Sequence, residues 1–160
     1  MADGEAPGGA ADVVDGPTFL GEHRHTLDDK GRLILPSAFR EPFAQGLVIT
    51  VGMDYCLALH PSAHWPRVLE GVRSLRTTDR RERMFARTLT AYAHPQEPDR
   101  QGRIAVPPRL REYAGLRREV AVVGADARVE LWDAERWDAY REEAIRDFAS
   151  TEQPFDLGMF

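Results

Sequence analysis

Two short segments of the chain combine a carboxylate, a glycine and a guanidinium group at the same spacing. The matched residues are Asp28, Gly31 and Arg32 in the first segment and Asp99, Gly102 and Arg103 in the second. An aspartate-to-glycine cluster between apolar runs is typical of a tight turn between two strands. In such a turn the aspartate can pair with the arginine and close the hairpin. Alternatively, the guanidinium can project from the tip and donate two parallel hydrogen bonds to an acceptor outside the protein. A turn signal alone is generic, so both interpretations stay open at this point.

The similarity between the two segments continues on both sides and indicates a duplicated module. Each turn leads into three apolar residues and a proline, and further matches follow at a nearly constant spacing. The matched pairs are Phe39 with Leu110, Arg40 with Arg111, Glu41 with Glu112, Val51–Gly52 with Val123–Gly124, Leu57 with Val129, and Trp65 with Trp137. Two copies are too few for a solenoid. We therefore predict two fused modules that pack together as a pseudo-symmetric pair.

Composition limits the classes of protein that the chain can represent. Its 160 residues are 42% hydrophobic and 29% charged, which is ordinary for a soluble globular protein. The single cysteine, Cys56, excludes an intramolecular disulfide and a CxxC site. No apolar run approaches the roughly 18–20 residues that span a bilayer, so we expect a cytoplasmic protein with no membrane partner. The formal net charge of −5 argues weakly against a generic nucleic-acid binder, but the two ends carry acidic residues and no basic ones, so the middle of the chain is close to neutral.

The order of apolar runs and turn signals predicts an α+β, β-rich fold. Each module should contain two strands around its turn, a short helix, two more strands and a terminal helix. We predict a disordered extension over 1–17, a first module with its helix over 18–76, a connecting helix over 77–90, a second module with its helix over 91–150, and a tail over 151–160. The connecting helix is amphipathic, with four arginines on one side, and its apolar residues should face inward. Those residues are Met84, Phe85 and Leu89.

Enzyme chemistry is poorly supported by the residues. The chain has no glycine-rich phosphate loop, no Ser/His/Asp or Cys/His arrangement, and no dinucleotide-binding glycine pattern. His23 and His25 alternate along a predicted strand, but a third metal ligand at a recognisable spacing is missing. We therefore predict neither catalysis, nor a small-molecule substrate, nor a cofactor or metal site.

Several separate signatures together resemble one known family. Residues 19–40 resemble the opening of MraZ, a family of bacterial transcriptional regulators tied to the division and cell-wall gene cluster. Residues 100–116, 119–124 and 130–137 resemble the second half of that family, in the same order. The resemblance implies two swapped-hairpin modules of the SpoVT/AbrB type that form one pseudo-dimeric barrel with flanking helices. It also implies a ring-like homo-oligomer, associated with the nucleoid, that represses its own operon by binding short direct repeats in promoter DNA.

The resemblance also assigns roles to individual residues. It implies that Arg32 and Arg103 contact bases, since arginine can bind guanine O6 and N7 with two hydrogen bonds. Further basic residues would contact phosphates and position the protein: Lys30, Arg24 and His25 in the first half, and Arg100 and Arg109 in the second. Asp28, Gly31, Asp99 and Gly102 would shape the turns. The chain departs from the family in its extra residues 1–17. In addition, the second turn has no lysine at the position that corresponds to Lys30.

A different class of function remains as an alternative. The turns could be purely structural in an oligomeric scaffold that acts through protein partners, with acidic segments as docking sites. An antitoxin-like module with the same fold is a variant of this hypothesis, in which residues 148–160 would bind the toxin. Substitution of the two turn arginines separates the hypotheses, because only the regulator loses DNA binding while keeping its fold.

Overall fold

The computed structural model describes residues 16–152, so most of the predicted extension and tail lies outside the described residues. Within these residues, five helices and eight strands confirm the α+β class. In chain order the elements are β1 (Glu22–Thr26), β2 (Arg32–Ile34), α1 (Ser37–Phe43), β3 (Leu47–Val51), a 3₁₀ turn (Met53–Tyr55), β4 (Leu57–Pro61), α2 (Trp65–Arg73), α3 (Arg80–Ala91), β5 (His94–Gln96), β6 (Arg103–Ala105), α4 (Pro108–Ala114), β7 (Glu119–Ala125), β8 (Arg128–Asp133) and α5 (Ala134–Ser150).

The two halves of the chain exchange their first strands. β1 of the first half pairs with β7 of the second, and β5 of the second half pairs with β3 of the first. The resulting antiparallel sheet has the order β1-β7-β8-β4-β3-β5, and β2 and β6 form a separate two-stranded ribbon. Both arrangements are preserved when the halves are interchanged, as expected for a pseudo-twofold pair. Within residues 16–152 no closed barrel is found.

The strand register corrects one part of the sequence match between the halves. Val51 pairs with Leu57 in the first half, and Gly124 pairs with Val129 in the second. Val51 therefore occupies the place of Gly124, and the predicted match of Val51–Gly52 with Val123–Gly124 is wrong by one residue. The cause is the connection after β3, which contains the 3₁₀ turn: five residues separate Val51 from Leu57, whereas four separate Gly124 from Val129.

A continuous apolar core joins the ribbon, the short helices and one face of the sheet. Leu33 of β2 and Ile104 of β6 face each other across the ribbon and are buried. Phe43 at the end of α1 stacks on Phe19 with 4.9 Å between ring centroids. Because elements of both halves contribute to this cluster, its apolar burial stabilises the pair of halves rather than either half alone.

The longer helices lie outside this core. α5 packs on the opposite face of the sheet, where Trp132 and Trp137 contact each other. Neither α2 nor α3 has a buried residue among those described. The prediction that Met84 and Phe85 face inward is wrong, since they are 51% and 46% exposed. An amphipathic pattern identifies an apolar face of a helix but does not specify which surface covers it. No helix in residues 16–152 combines the length and apolarity needed to span a membrane.

Candidate nucleic-acid interface

The side chain of Asp28 organises the first turn. Its Oδ1 accepts hydrogen bonds from the backbone N–H groups of Lys30 and Arg32, each at 2.9 Å. Its Oδ2 accepts a third from Arg32 Nε at 2.8 Å. Aspartate is suited to this role because its short side chain reaches backbone amides two residues on. Gly31 has a φ of +73°, a left-handed conformation in which glycine has no steric penalty.

The second turn repeats this arrangement atom for atom. Asp99 accepts from the backbone of Gln101 and Arg103 at 2.9 Å each, and from Arg103 Nε at 2.6 Å. Gly102 has a φ of +76°. In both turns the hydrogen bond from the arginine backbone, reinforced by the arginine side chain, lowers the pKa of the aspartate carboxyl. Each turn therefore holds its arginine side chain by one edge.

The ribbon brings the two turn arginines onto one surface. Arg32 lies opposite Ala105, and Ile34 lies opposite Arg103, on either side of the buried central pair. Because side chains alternate along a strand, these four residues share the outer face of the ribbon. Diagonal neighbours in an antiparallel pair are roughly 7–8 Å apart, which is the relation between Arg32 and Arg103. Their side chains are 33% and 27% exposed, so both arginines are partly accessible from the outer face of the ribbon.

Two further arginines, which were not predicted from the sequence as site residues, contact the turns. A Cβ atom on Gly31 would lie 2.2 Å from Nη1 of Arg111, and one on Gly102 would lie 2.8 Å from Nε of Arg40. Arg40 lies in α1 and Arg111 in α4, so each half places an arginine against the turn of the other. The sequence contained one signal that could have identified Arg40 and Arg111 as site residues, because they occupy matched positions in the two copies of the module.

Two of the predicted phosphate-contact residues lie at the turn tips. Lys30 and Arg100 are both exposed, and they occupy neighbouring rather than equivalent positions of the two turns. Arg109 is exposed on α4, and its guanidinium carbon lies 4.2 Å from the centroid of the Tyr92 ring. This distance is typical of a cation–π contact.

The structure places Arg24 and His25 in other surroundings. Arg24 pairs with Asp138 and donates to the carbonyl of Ala134 at 3.3 Å, so its side chain lies against α5. Burial lowers the pKa of His25, although a hydrogen bond with the Ile34 backbone acts in the opposite direction.

The equivalent residue in the second half indicates the structural role of His25. Gln96 occupies the equivalent place, and its side-chain amide forms hydrogen bonds of 2.7 and 2.8 Å with the backbone of Ala105. Ala105 corresponds to Ile34 in the repeat. His25 and Gln96 therefore both contact the ribbon backbone, at equivalent positions of its two strands.

Comparison with known proteins identifies the family. The family model described as "MraZ protein, putative antitoxin-like" matches the chain twice, over residues 18–88 and 89–157. A protein named transcriptional regulator MraZ from Kineococcus radiotolerans is 51% identical over 115 residues, covering 72% of this chain and 80% of the relative.

More distant relatives cover still more of the chain. The transcriptional regulator MraZ of a Parafrankia species is 47% identical over 135 residues, covering 84% of this chain and 94% of the relative. That of Leifsonia xyli is 41% identical over 142 residues, covering 89% and 99%. These matches span both turns and both halves of the fold, and they confirm the resemblance seen in the sequence. The chain belongs to the MraZ family.

Proposed function

We propose that the protein is a sequence-specific DNA-binding transcriptional regulator that represses its own operon in the division and cell-wall cluster. Its targets are short direct repeats in promoter DNA, and it is associated with the nucleoid in the cytoplasm. The relatives named transcriptional regulators support this class of function. The observation that carries the proposal is the placement of Arg32 and Arg103 as diagonal neighbours on the outer face of one ribbon.

The geometry of the ribbon suits the major groove. That groove is about 12 Å wide in B-DNA and admits a two-stranded β-ribbon. In each turn the aspartate binds Nε of the arginine, which leaves the two terminal nitrogens for O6 and N7 of a guanine. The aspartate also fixes the arginine before DNA arrives, so less conformational entropy is lost on binding. Arg32 and Arg103 are therefore the base-contacting residues of the proposal.

The remaining basic residues are proposed to position the protein on the DNA backbone. Lys30 and Arg100 are suited to this role, because both are exposed at the turn tips. Arg24 would have to leave Asp138 to reach a phosphate, and Arg109 would extend from the ring of Tyr92. His25 would contribute through its hydrogen bond to the ribbon. Contacts of this kind fix orientation and carry no sequence information themselves.

A ring-like homo-oligomer, in which each chain contributes one barrel-like pair of halves, completes the proposal. Several ribbons on one ring could engage successive direct repeats, and each additional contact would gain from a high effective concentration. The exposed apolar side chains of α3, Met84 and Phe85, supply a surface for contact between chains. Exposed apolar patches of this kind mark interaction sites.

The scaffold hypothesis has one observation in its favour. The Asp28–Arg32 and Asp99–Arg103 pairs close the two turns by themselves, so the motif serves the fold whatever else it binds. Under this hypothesis the turn arginines would have no role beyond closing the hairpins. The toxin-binding segment of its antitoxin-like form begins at Phe148 and lies mostly outside the described residues.

Fluorescence anisotropy with two duplexes distinguishes the hypotheses. One duplex carries the region upstream of the protein's own gene, and the other is its scrambled counterpart. The Arg32→Ala/Arg103→Ala variant should lose about 1–3 kcal/mol of discrimination for each arginine while keeping its circular dichroism spectrum and oligomeric state. The matched control is Arg67→Ala/Arg73→Ala, which removes the same charge from exposed positions on α2 and should bind like the wild type.

Two results would contradict the proposal. One is equal, weak binding of the wild-type protein to both duplexes. The other is a folded Arg32→Ala/Arg103→Ala variant that still discriminates between them. If this variant misfolds, Arg32→Lys/Arg103→Lys replaces it, because lysine keeps the charge beside each aspartate but lacks the planar fork that binds guanine. Retained discrimination in the lysine variant would contradict base contact by these arginines.

A further inference from the structure

Arg40 and Arg111 line two clefts, each beside the turn of the opposite half. The first cleft, of about 240 Å³, is formed by Arg40 together with Asp99 and Arg100. The second, of about 650 Å³, is formed by Arg111 together with Asp28, Asp29 and Arg118, among others. The clefts are counterparts under the pseudo-twofold relation, because Arg40 matches Arg111 and Asp99 matches Asp28.

The charges in these clefts leave the two arginines available for an anion. Asp28 and Asp99 are occupied by the turn arginines, each within a short ion pair. Within residues 16–152 no carboxylate forms an ion pair with Arg40 or Arg111. Nε of Arg40 donates to the carbonyl of Leu35 at 2.9 Å, which anchors the side chain and leaves its terminal nitrogens for another acceptor.

We propose that Arg40 and Arg111 each bind a backbone phosphate of the DNA, next to the base contacted by the turn arginine of the opposite half. This inference rests on the proposed function, to which it adds two phosphate contacts. Arg40 touches the turn that carries Arg103, and Arg111 touches the turn that carries Arg32. The planar guanidinium fork matches two phosphate oxygens.

The exchange between halves gives these contacts a specific consequence. The phosphate contact of Arg40 in α1 is fixed relative to the base contact of Arg103. In the same way, the phosphate contact of Arg111 in α4 is fixed relative to the base contact of Arg32. Binding of a phosphate by one half therefore sets the register in which the other half meets its base. Phosphate contacts determine register in this way without reading sequence.

The test measures how DNA binding depends on salt. The variants are Arg40→Gln, Arg111→Gln and their combination, and the control is Arg67→Gln/Arg73→Gln, which makes the same change in charge at exposed positions on α2. Each protein is titrated onto the upstream duplex and its scrambled counterpart over a series of salt concentrations. Circular dichroism and the oligomeric state verify that each variant is folded and assembled.

The expected result is a shallower dependence of affinity on salt. The slope of log affinity against log salt should fall by about 0.9 for each phosphate contact removed, and both duplexes should be affected alike. The ratio of the two affinities should stay at the wild-type value, because phosphates carry no sequence information. The control double variant should show a smaller change in slope than the Arg40→Gln/Arg111→Gln variant.

A folded variant with the wild-type slope would overturn the inference. So would loss of discrimination at an unchanged slope, which would make Arg40 and Arg111 supports of the turns. If the glutamine variants misfold, the Arg40→Lys/Arg111→Lys variant is used to test the phosphate contacts instead. Lysine keeps a point charge but loses the fork, so we expect weaker binding to both duplexes with the slope retained, and unchanged affinity would contradict the inference.

The wild-type titrations separate this inference from the proposed function. Equal binding of the wild type to both duplexes would overturn sequence-specific recognition, while the slopes would still report on Arg40 and Arg111. Binding to neither duplex would overturn both proposals.

Discussion

Leu33 lies directly opposite Ile104 at the centre of the two-stranded ribbon, and both side chains are buried against the core. This pair joins equivalent positions of the two halves, so it marks the pseudo-twofold relation within the ribbon. Its burial also determines the surface above it. Because Leu33 and Ile104 point inward, the residues before and after each must point outward, and two of those four are the turn arginines.

The exchange of strands predicts that neither half folds alone as a monomer. A fragment of residues 16–90 would lack the partners of β1 and β2, which belong to the second half. We expect the fragment to be unfolded or to dimerise by the same exchange. Circular dichroism and sedimentation would show which, and co-expression with residues 91–152 should restore a heterodimer. A folded monomeric fragment would contradict the role that we assign to the exchange.

Gly31→Ala should weaken DNA binding beyond its effect on stability. Alanine at the left-handed φ of Gly31 costs roughly 1–2 kcal/mol, and its Cβ would displace the end of Arg111. The matched control is Gly21→Ala, which has a φ of +86° but meets no atom within 4 Å. Chemical denaturation should show a similar loss of stability in both variants. Anisotropy should show reduced affinity only for Gly31→Ala, and equal affinities would argue against a role of Arg111 in binding.

His60 should make the stability of the protein depend on pH between about 6.5 and 4. Burial, aided by Arg128 and His64, lowers its pKa from 6.5 to about 4. The unfolded chain therefore binds a proton in this range that the folded protein excludes. The free energy of unfolding should be highest above pH 6.5 and should fall by up to about 3 kcal/mol as the pH drops towards 4.

Denaturation at several pH values would check the prediction for His60. The His60→Gln variant has no group that titrates at this position, so its stability should change less over the same range. The turn aspartates affect a different range. Because the pKa values of Asp28 and Asp99 are lowered, their contribution to stability is present above about pH 4 and is lost only below it. An equal pH dependence in wild type and His60→Gln would exclude the assignment.

Met84→Glu/Phe85→Glu should break the proposed contact between chains without unfolding them. Both side chains are about half exposed in the single chain, so charges there cost little in a monomer but cannot be buried between subunits without a partner. Light scattering should show a smaller assembly, and circular dichroism should be unchanged. A matched control is Thr77→Glu/Thr78→Glu, at exposed positions just before α3. An unaltered assembly in the α3 variant would remove this helix from the interface.

The sequence predicted the parts of the fold that depend on local patterns. The two turns could be read from Asp28 and Gly31 and their repeats, because aspartate and glycine have specific local roles in turns. The inward orientation predicted for Met84 and Phe85 failed, because periodicity finds an apolar face without finding what covers it. The positions of Arg40 and Arg111 depend on packing between halves, which spacing along one chain does not encode. The exchange of strands was expected from the family resemblance and from the small size of each module, which favours intertwined halves.

Because the two halves belong to one chain, their turns can carry different residues at matched positions. Two identical subunits would present the same side chain at every matched position, and their natural target would be a palindrome. In the fused chain Lys30 stands where the second turn has Gln101, and Asp29 stands where it has Arg100. The outer face of the ribbon likewise carries Ile34 on one strand and Ala105 on the other. If the ribbon binds DNA as proposed, one chain can match two unlike half-sites within a single directional DNA element.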